Sequence, residues 1–537
     1  MRSDITDVTG VLVIGGGISG LALAFELAKR GLETTVLEAN DFGAGATANS
    51  LRIVHGGLRY LQTLNFGRAR RSIRARRELM QFAPGLIRPI ECRIPLSKWG
   101  VRSKLPISAA CMVNNVLGWG RNSGLAERDR LPASKFWGPA FLNSQEAGTH
   151  AIPAASWWDA VVMQPHRLMV RLVKSCEAQG VRVVNHARVT ELILDEKESI
   201  VGARYQRIGE ESIRSLRCRV VVDASGHGGR LFRNRVNALR PLCAWVGAAN
   251  FLLNERSSNS WVTGLRARER DGLLGGAAKL AKWRDFFFVP TPAGLLVGTT
   301  YTTVNSDGGS GDAIELAFEQ LLDEINRARP NRIVSESDIK HMFWGLLPAT
   351  KEECGSASSR LLQRDIVVDG EKEFGLARYF RIQGIKLTTA FELATRVVPI
   401  VQRYFTKSEI SAQDKQAATP TAISASSQAI FSETDPSIVT GLLSAMTQRE
   451  FENFVKNCVQ NEYALTLEDL LQRRLGLLPA DYPGEAIRHA LVDHMAILLG
   501  WPSVRRMKEL SEADQLITAT PARRVRASDN LSQASPK

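Results

Sequence analysis

Three glycines and one acid near the start of the chain have the spacing that holds a nucleotide. In Gly15-Gly16-Gly17-Ile18-Ser19-Gly20 the first, third and sixth positions are glycine, and Glu38 follows eighteen residues after Gly20. Gly15 permits a tight turn, Gly17 lets backbone approach a pyrophosphate, and Gly20 lets a helix pack closely on the strand before it. A helix beginning there turns its N–H groups and the positive end of its dipole toward phosphate. Glu38 is placed to accept hydrogen bonds from a ribose hydroxyl and would repel a 2′-phosphate, so the pattern predicts a dinucleotide other than NADP.

The elements that must position these residues are legible around them. Val11-Leu12-Val13-Ile14 is a continuous apolar run suited to a buried parallel strand. Leu21 to Arg30 is a good helix former closed by Gly31, and Thr34-Thr35-Val36-Leu37 is a second strand that ends at Glu38. A glycine-rich turn that binds nothing would need neither that helix nor that acid. Together they predict one complete βαβ unit.

Beyond Glu38 the chain does not continue with the βα repeats of an ordinary NAD enzyme. Asn49 to Leu61, containing His55-Gly56-Gly57-Leu58-Arg59-Tyr60, is similar to S-S-K-[LM]-[IV]-H-G-G-L-R-Y-L of flavin-dependent glycerol-3-phosphate dehydrogenases in the D-amino-acid oxidase superfamily, with Arg52 where lysine is usual. Trp157-Trp158-Asp159-Ala160 and Gln164-Pro165-His166-Arg167-Leu168 resemble that family's Y-D-A and D-x-x-R-L. Val220 to Gly226 is similar to V-V-N-A-[ST]-G, Leu296 to Tyr301 to L-[IV]-G-T-T-D, and Gly384-Ile385-Lys386-Leu387-Thr388-Thr389 to G-G-K-L-T-T. Glu462 to Arg474 resembles the C-terminal helical domain. The motifs keep the family's order over roughly residues 10 to 500.

The resemblance implies a mixed α/β (α+β) fold: a Rossmann-type FAD-binding domain, an inserted antiparallel-sheet substrate domain and a C-terminal helical domain. The FAD part is expected at about 8–90, 160–240 and 345–405, and the substrate part at about 91–159 and 241–344. A serine-, alanine- and threonine-rich linker is expected at 406–435, the helical domain at 436–515 and a disordered tail at 516–537. The cofactor contacts it implies are Gly15, Gly17, Ile18, Ser19, Gly20, Glu38, Thr47, Ser50, Gly56, Gly57, Val189, Ser225, Gly226, Gly384, Lys386, Leu387 and Thr388. The cofactor is FAD, and no metal is expected.

Oxidising a secondary alcohol requires a base for the hydroxyl proton, positive charge for the developing alkoxide and exclusion of water. The resemblance places His55, Arg59 and Tyr60 on one loop and Lys386 on another, facing the flavin. Arg59 would hold an anionic substrate group, Lys386 would sit near the flavin and substrate oxygens, and His55 or Tyr60 would take the proton directly or through water. Each has a plainer alternative: a backbone hydrogen bond for His55, core packing for Tyr60, a structural ion pair for Arg59. A covalent flavin tether through His55 is a further alternative.

Substrate motifs depart from the family while cofactor motifs persist. Gly345-Leu346-Leu347-Pro348 stands where the family has G-V-R-P, whose arginine grips substrate phosphate; Tyr301 replaces an aspartate, and the stretch 242–247 lacks the K-G-S-H residues. Losing one charge-assisted hydrogen bond costs about 1.5–3 kcal/mol, roughly a factor of 10 to 150 in affinity. The leading expectation is a dehydrogenase of a glycerol-3-phosphate-like polyol or sugar alcohol, phosphorylated or not, with a quinone or other electron acceptor. The alternatives are an amine or amino-acid oxidase using oxygen and a catalytically silent FAD-binding protein.

Composition agrees with a globular enzyme. The 537 residues are 44% apolar and 23% charged, with a net charge of +14 that favours anionic partners. Arg68, Arg70, Arg71, Arg74, Arg76 and Arg77 read as the solvated face of a helix, with contact to a lipid headgroup as the alternative. No nucleic-acid-binding motif accompanies them. Seven scattered cysteines, never in a C-x-x-C pair, read as reduced and mostly buried thiols. The acidic N-terminus lacks signal-peptide character, and no apolar run approaches the ~20 residues of a membrane span. The expected location is cytoplasmic, with peripheral contact at the inner face of the plasma membrane and homodimerisation both left open.

Overall fold

The computed structural model describes residues 6–58, 65–100, 102–137, 153–229, 239, 242–257, 259–268, 283–304, 311–350, 361–411 and 435–525. The chain divides into two compact units: one formed by 1–48, 164–244 and 362–537, the other by 49–163 and 245–361. Residues 49–90, grouped by sequence with the nucleotide-binding segments, lie in the second unit because Ile53–Val54 and Ile87–Pro95 both pair with strand Ala154–Val162.

The first unit is built on the predicted βαβ. Strand β1 (Thr6–Ile14) leads into helix α1 (Ile18–Ala28) and returns as β2 (Thr34–Leu37), parallel to β1. Val11, Leu12 and Val13 are fully buried, as a parallel strand covered on both faces requires. Helix α1 is apolar nearly all round and packs against helices Pro165–Ala178 and Ala390–Gln402.

The sheet continues outward in both directions. Strand Ile213–Asp223 runs parallel to β1, Tyr379–Gln383 runs parallel to its last residues, and Arg182–Val184 runs parallel to β2. The first half of Ile213–Asp223 pairs antiparallel with Ile200–Arg207, which in turn pairs with Ala187–Leu194. Helices Pro436–Ala445, Gln448–Gln460, Glu485–Leu499 and Ser503–Thr518 belong to the same unit and enclose their own core, including Val455, Leu470, Leu471, Val492 and Met495.

Among its described residues the second unit is built on a nine-stranded, mainly antiparallel sheet, in which Lys135–Trp137 pairs with Ala154–Val162 off the main order. Its order begins with Ile339–Ala349, Ala244–Leu253, Gly294–Thr303, Trp283–Thr291 and Val262–Arg268. It continues through Ile87–Pro95 and Ala154–Val162 to Ile53–Val54 at the other end. Helix Gly311–Ala328 packs against this sheet, and helices Phe66–Phe82 and Lys104–Leu117 pack against each other.

The arginine-rich stretch lies on Phe66–Phe82 but is not wholly solvated. Arg70, Arg71 and Arg74 are exposed, whereas Arg76 is buried on the stripe formed by Ala69, Ser72, Ile73 and Met80. Cys92, Cys111, Cys176, Cys218, Cys243 and Cys458 are buried; Cys354 lies outside the described residues. No helix among the described residues is long and apolar enough to cross a membrane.

Candidate active site

In the first unit the glycine turn forms a cradle at the N-terminus of α1. Gly15 has a φ of +107°, and a Cβ there would lie 2.7 Å from the Ala224 carbonyl, so two strand ends close on each other only because position 15 is glycine. A Cβ on Gly20 would collide with the Gly15 carbonyl. Beside Gly17 a Cβ would meet nothing nearer than Thr47 Oγ1 at 3.6 Å, which leaves room for a phosphate group against the backbone. Helix α1 carries no side-chain N-cap and no acid in its first turn, and Ile18 N donates to Thr47 Oγ1 at 3.3 Å. A helix start whose N-cap residue offers no side chain of its own suits a pyrophosphate.

Glu38 is fixed at the end of β2 by two backbone donors, Gly16 N at 2.6 Å and Asn40 N at 2.8 Å, one to each oxygen. Burial raises its pKa above the usual carboxylate value, against the lowering effect of those hydrogen bonds and of the Arg188 charge. Each carboxylate oxygen has lone-pair capacity for a further donor such as a ribose hydroxyl. Loop 384–389 reaches the same turn: a Cβ on Gly384 would overlap Ser19 Oγ, and Lys386 begins the 3₁₀ turn Leu387–Thr389 that leads into helix Ala390–Gln402.

In the second unit, Asp159 is the centre of a buried polar cluster. It accepts from Gly56 N at 2.6 Å, Arg76 Nη1 at 2.6 Å and Trp157 Nε1 at 3.0 Å, and its Oδ2 lies 3.2 Å from His55 Nδ1. Burial would raise the Asp159 carboxyl, but hydrogen bonding from His55 and the charge of Arg76 outweigh it and hold the pKa at about 2. An ionised carboxylate only accepts, so His55 carries its proton on Nδ1 and keeps Nε2 as its acceptor nitrogen. Ser72 Oγ donates to the His55 carbonyl at 2.7 Å, and the ring centroid lies 5.8 Å from that of Phe287. Gly56 is required because a Cβ would run into the Arg76 guanidinium.

A family model described as "FAD dependent oxidoreductase" matches residues 10–376, well over half of the chain. The chain belongs to this family of FAD-dependent oxidoreductases. Curated relatives include the glycerol-3-phosphate dehydrogenase of Synechocystis sp., 25% identical over 403 residues that cover 72% of this chain and 69% of the relative. The aerobic glycerol-3-phosphate dehydrogenase of Staphylococcus saprophyticus is 25% identical over 436 residues, covering 78% and 71%. Among solved structures, glycerol-3-phosphate dehydrogenase from Bacillus halodurans complexed with FAD superposes with a TM-score of 0.62 at 17% identity, over 96% of this chain and 95% of that one. That likeness is one of fold.

FAD is accordingly the oxidoreductase's cofactor, and the first unit's turn fits it. Gly15, Gly17, Ile18, Ser19, Gly20, Glu38, Thr47 and Gly384 lie around one helix start, with Lys386, Leu387 and Thr388 on the adjoining turn. Ser225 and Gly226 follow strand Ile213–Asp223, where Asp223 accepts from Ser225 N at 3.0 Å and from the Tyr379 hydroxyl at 2.8 Å. Val189 has its side chain in the core of that unit beside a register shift in its strand. Ser50, His55, Gly56 and Gly57 belong to the second unit, with Ser50 Oγ accepting from Arg52 N at 3.3 Å. Arg59 and Tyr60 lie outside the described residues.

Two residues of this candidate site, Asp159 and Arg76, do not stand out in the sequence. Asp159 sits in the quoted W-W-D-A segment, but its partner His55 is 104 residues away. Arg76 was hidden in the arginine run, although its spacing from Ser72, Ile73 and Met80 puts it on the inward stripe.

Proposed function

We propose that this oxidoreductase oxidises the secondary alcohol of a glycerol-3-phosphate-like polyol or sugar phosphate to the ketone and passes the electrons to a quinone. FAD, when bound, supplies the hydride acceptor. The observation that carries the reading is the Asp159–His55 pair: the carboxylate orients the imidazole and stabilises its protonated form, so Nε2 is a base for the hydroxyl proton. The resemblance puts Arg59 and Lys386 beside the substrate as positive charge for its anionic group and for the developing alkoxide. The names of the curated relatives support the same substrate class.

A peripheral site at a membrane suits a quinone acceptor, and one surface of the second unit fits it. Trp99 and Trp119 are 87% and 93% exposed, and Leu105, Met112 and Val116 extend the apolar face along helix Lys104–Leu117. The exposed Arg70, Arg71 and Arg74 lie on the helix packed against it. Tryptophan beside arginine is the composition of an interfacial lipid-binding surface.

The deciding experiment is anaerobic bleaching of the flavin near ~450 nm in the purified holoenzyme. Glycerol 3-phosphate is set against other polyols, sugar phosphates, amines and amino acids. Bleaching by glycerol 3-phosphate or a related polyol, with reoxidation by a quinone analogue, is expected. Bleaching by amines or amino acids alone, with peroxide released in air, would overturn the alcohol reading in favour of an oxidase. A flavin that no compound bleaches would point to a silent scaffold.

A further inference from the structure

Arg52 is a partly buried cation whose side chain has only neutral neighbours among the described residues. Its guanidinium donates once, from Nη1 to the Met163 carbonyl at 3.4 Å, and lies 5.3 Å from the centroid of the Phe343 ring. Its Nε is buried without a hydrogen-bond partner. Burial pushes its pKa down to about 10, still far above neutrality, so the charge persists. Other buried arginines of this unit face carboxylates: Arg76 faces Asp159, Arg102 faces Asp285 and Arg329 faces Glu255. An uncompensated guanidinium in such surroundings is costly, and it is retained where an anion completes it.

The backbone holds Arg52 in place for this. Its φ is +65°, a left-handed conformation uncommon for a residue with a side chain, and its carbonyl accepts from Val162 N at 2.8 Å. Ile53–Val54, immediately after it, is the strand at one end of the sheet order, and Phe343 belongs to the strand at the other end. The two ends of the sheet therefore come within reach of one side chain. The same short segment carries His55, three residues on, whose ring meets Phe287 of this sheet. Strand Ile339–Ala349 also carries Leu347, the position where the resemblance leads one to expect an arginine.

We infer that Arg52 is the substrate-selecting residue of this oxidoreductase, binding an oxyanion of the substrate, phosphate or carboxylate, in place of the cation absent at Leu347. The inference rests on the second unit carrying the substrate side of the proposed reaction. A guanidinium presents a planar fork of donors to either oxyanion, and at least one further edge of the Arg52 fork is uncommitted to protein.

Calorimetric titration of the FAD-loaded full-length protein with inorganic phosphate and, separately, with acetate tests this. The wild type should bind at least one of the two, and Arg52→Gln should weaken that binding by roughly 10- to 150-fold with flavin content unchanged. Preference for phosphate would name a phosphorylated substrate, and preference for acetate a carboxylate. Equal affinity in wild type and R52Q, or a wild type that binds neither anion, would overturn the proposal. Should R52Q fail to load FAD, Arg52→Met is measured instead: it keeps the length of the side chain without its charge, and an unchanged affinity in that variant would likewise overturn it. Anion binding that depends on Arg52 in an enzyme whose flavin no alcohol bleaches would leave this site standing while removing the alcohol-dehydrogenase reading. Bleaching by alcohols with unaltered anion affinity in R52Q would do the reverse.

Discussion

At the scale of single residues, the proposed chemistry turns on what Asp159 does to His55. Asp159→Asn keeps the shape but replaces one accepting oxygen with an amide that donates, so one of the four donors around it loses its acceptor. The imidazole then loses both its enforced tautomer and the charge that stabilises its protonated form. Flavin reduction by the substrate should fall by about 10²- to 10⁴-fold, the range of general-base contributions. Flavin content is measured alongside, because Gly56, a cofactor contact that the resemblance implies, also donates to Asp159. Stopped-flow reduction of D159N at wild-type rate would remove His55 from the mechanism. The folded-state pKa of about 2 lies below the ordinary carboxylate value, so the stability Asp159 contributes is present above about pH 4 and is lost only as pH falls toward 2. Both residues lie in motifs legible in the sequence, but their meeting is not, because strand pairing between Ile53–Val54 and Ala154–Val162 is non-local.

At the scale of elements, the βαβ unit was legible because its signals are local: an apolar run, a glycine turn, a helix and an acid within 38 residues. Strand Ile213–Asp223, which completes the sheet beside β1, comes about 200 residues later and showed only through the resemblance of Val220 to Gly226. Its Asp223 stands where the superfamily has asparagine, and the carboxylate is used: it accepts from the Tyr379 hydroxyl and Ser225 and lies 3.7 Å from Arg381. The attachment of the C-terminal helices was equally hidden. Buried ion pairs make it: Arg474 with Asp41 at 2.5 Å, Arg167 with Glu462 at 2.7 Å and His186 with Asp469 at 2.7 Å.

The last of these pairs gives the attachment a pH dependence. Burial lowers the His186 pKa, but the charge of Asp469, with Asp41 behind it, outweighs burial and the opposing Arg473, so the net shift is upward. A histidine raised in the folded state contributes stability that is complete below its unfolded pKa, about 6.5, and is lost as pH rises through the folded value. Hydrogen exchange in Gln448–Gln460 and Asp469–Arg474 should therefore quicken as pH rises above about 6.5, after correction for intrinsic exchange. His186→Gln should flatten that dependence; a slope equal to the wild type's would assign the effect to another group.

At the scale of the whole molecule, the surplus of 14 positive charges becomes informative once its placement is known. Composition alone left the arginine run as a solvated face, because no sequence pattern says what packs beside it. The fold sets its exposed members, Arg70, Arg71 and Arg74, next to a helix whose outward residues are apolar and which is bracketed by Trp99 and Trp119. Each arginine near an anionic bilayer is worth about 1 kcal/mol, so three supply about 3 kcal/mol, on the order of 150-fold in partitioning. The tryptophans add a contribution that salt does not screen. The holoenzyme should therefore cosediment with vesicles containing phosphatidylglycerol more strongly than with phosphatidylcholine alone. Added salt should reduce that binding without abolishing it. Replacing the three arginines with glutamate should remove the preference for anionic lipid, whereas W99S/W119S should remove the binding that persists at high salt. Cosedimentation unaltered in both variants would place any membrane contact elsewhere on the molecule and leave this apolar face for a protein partner.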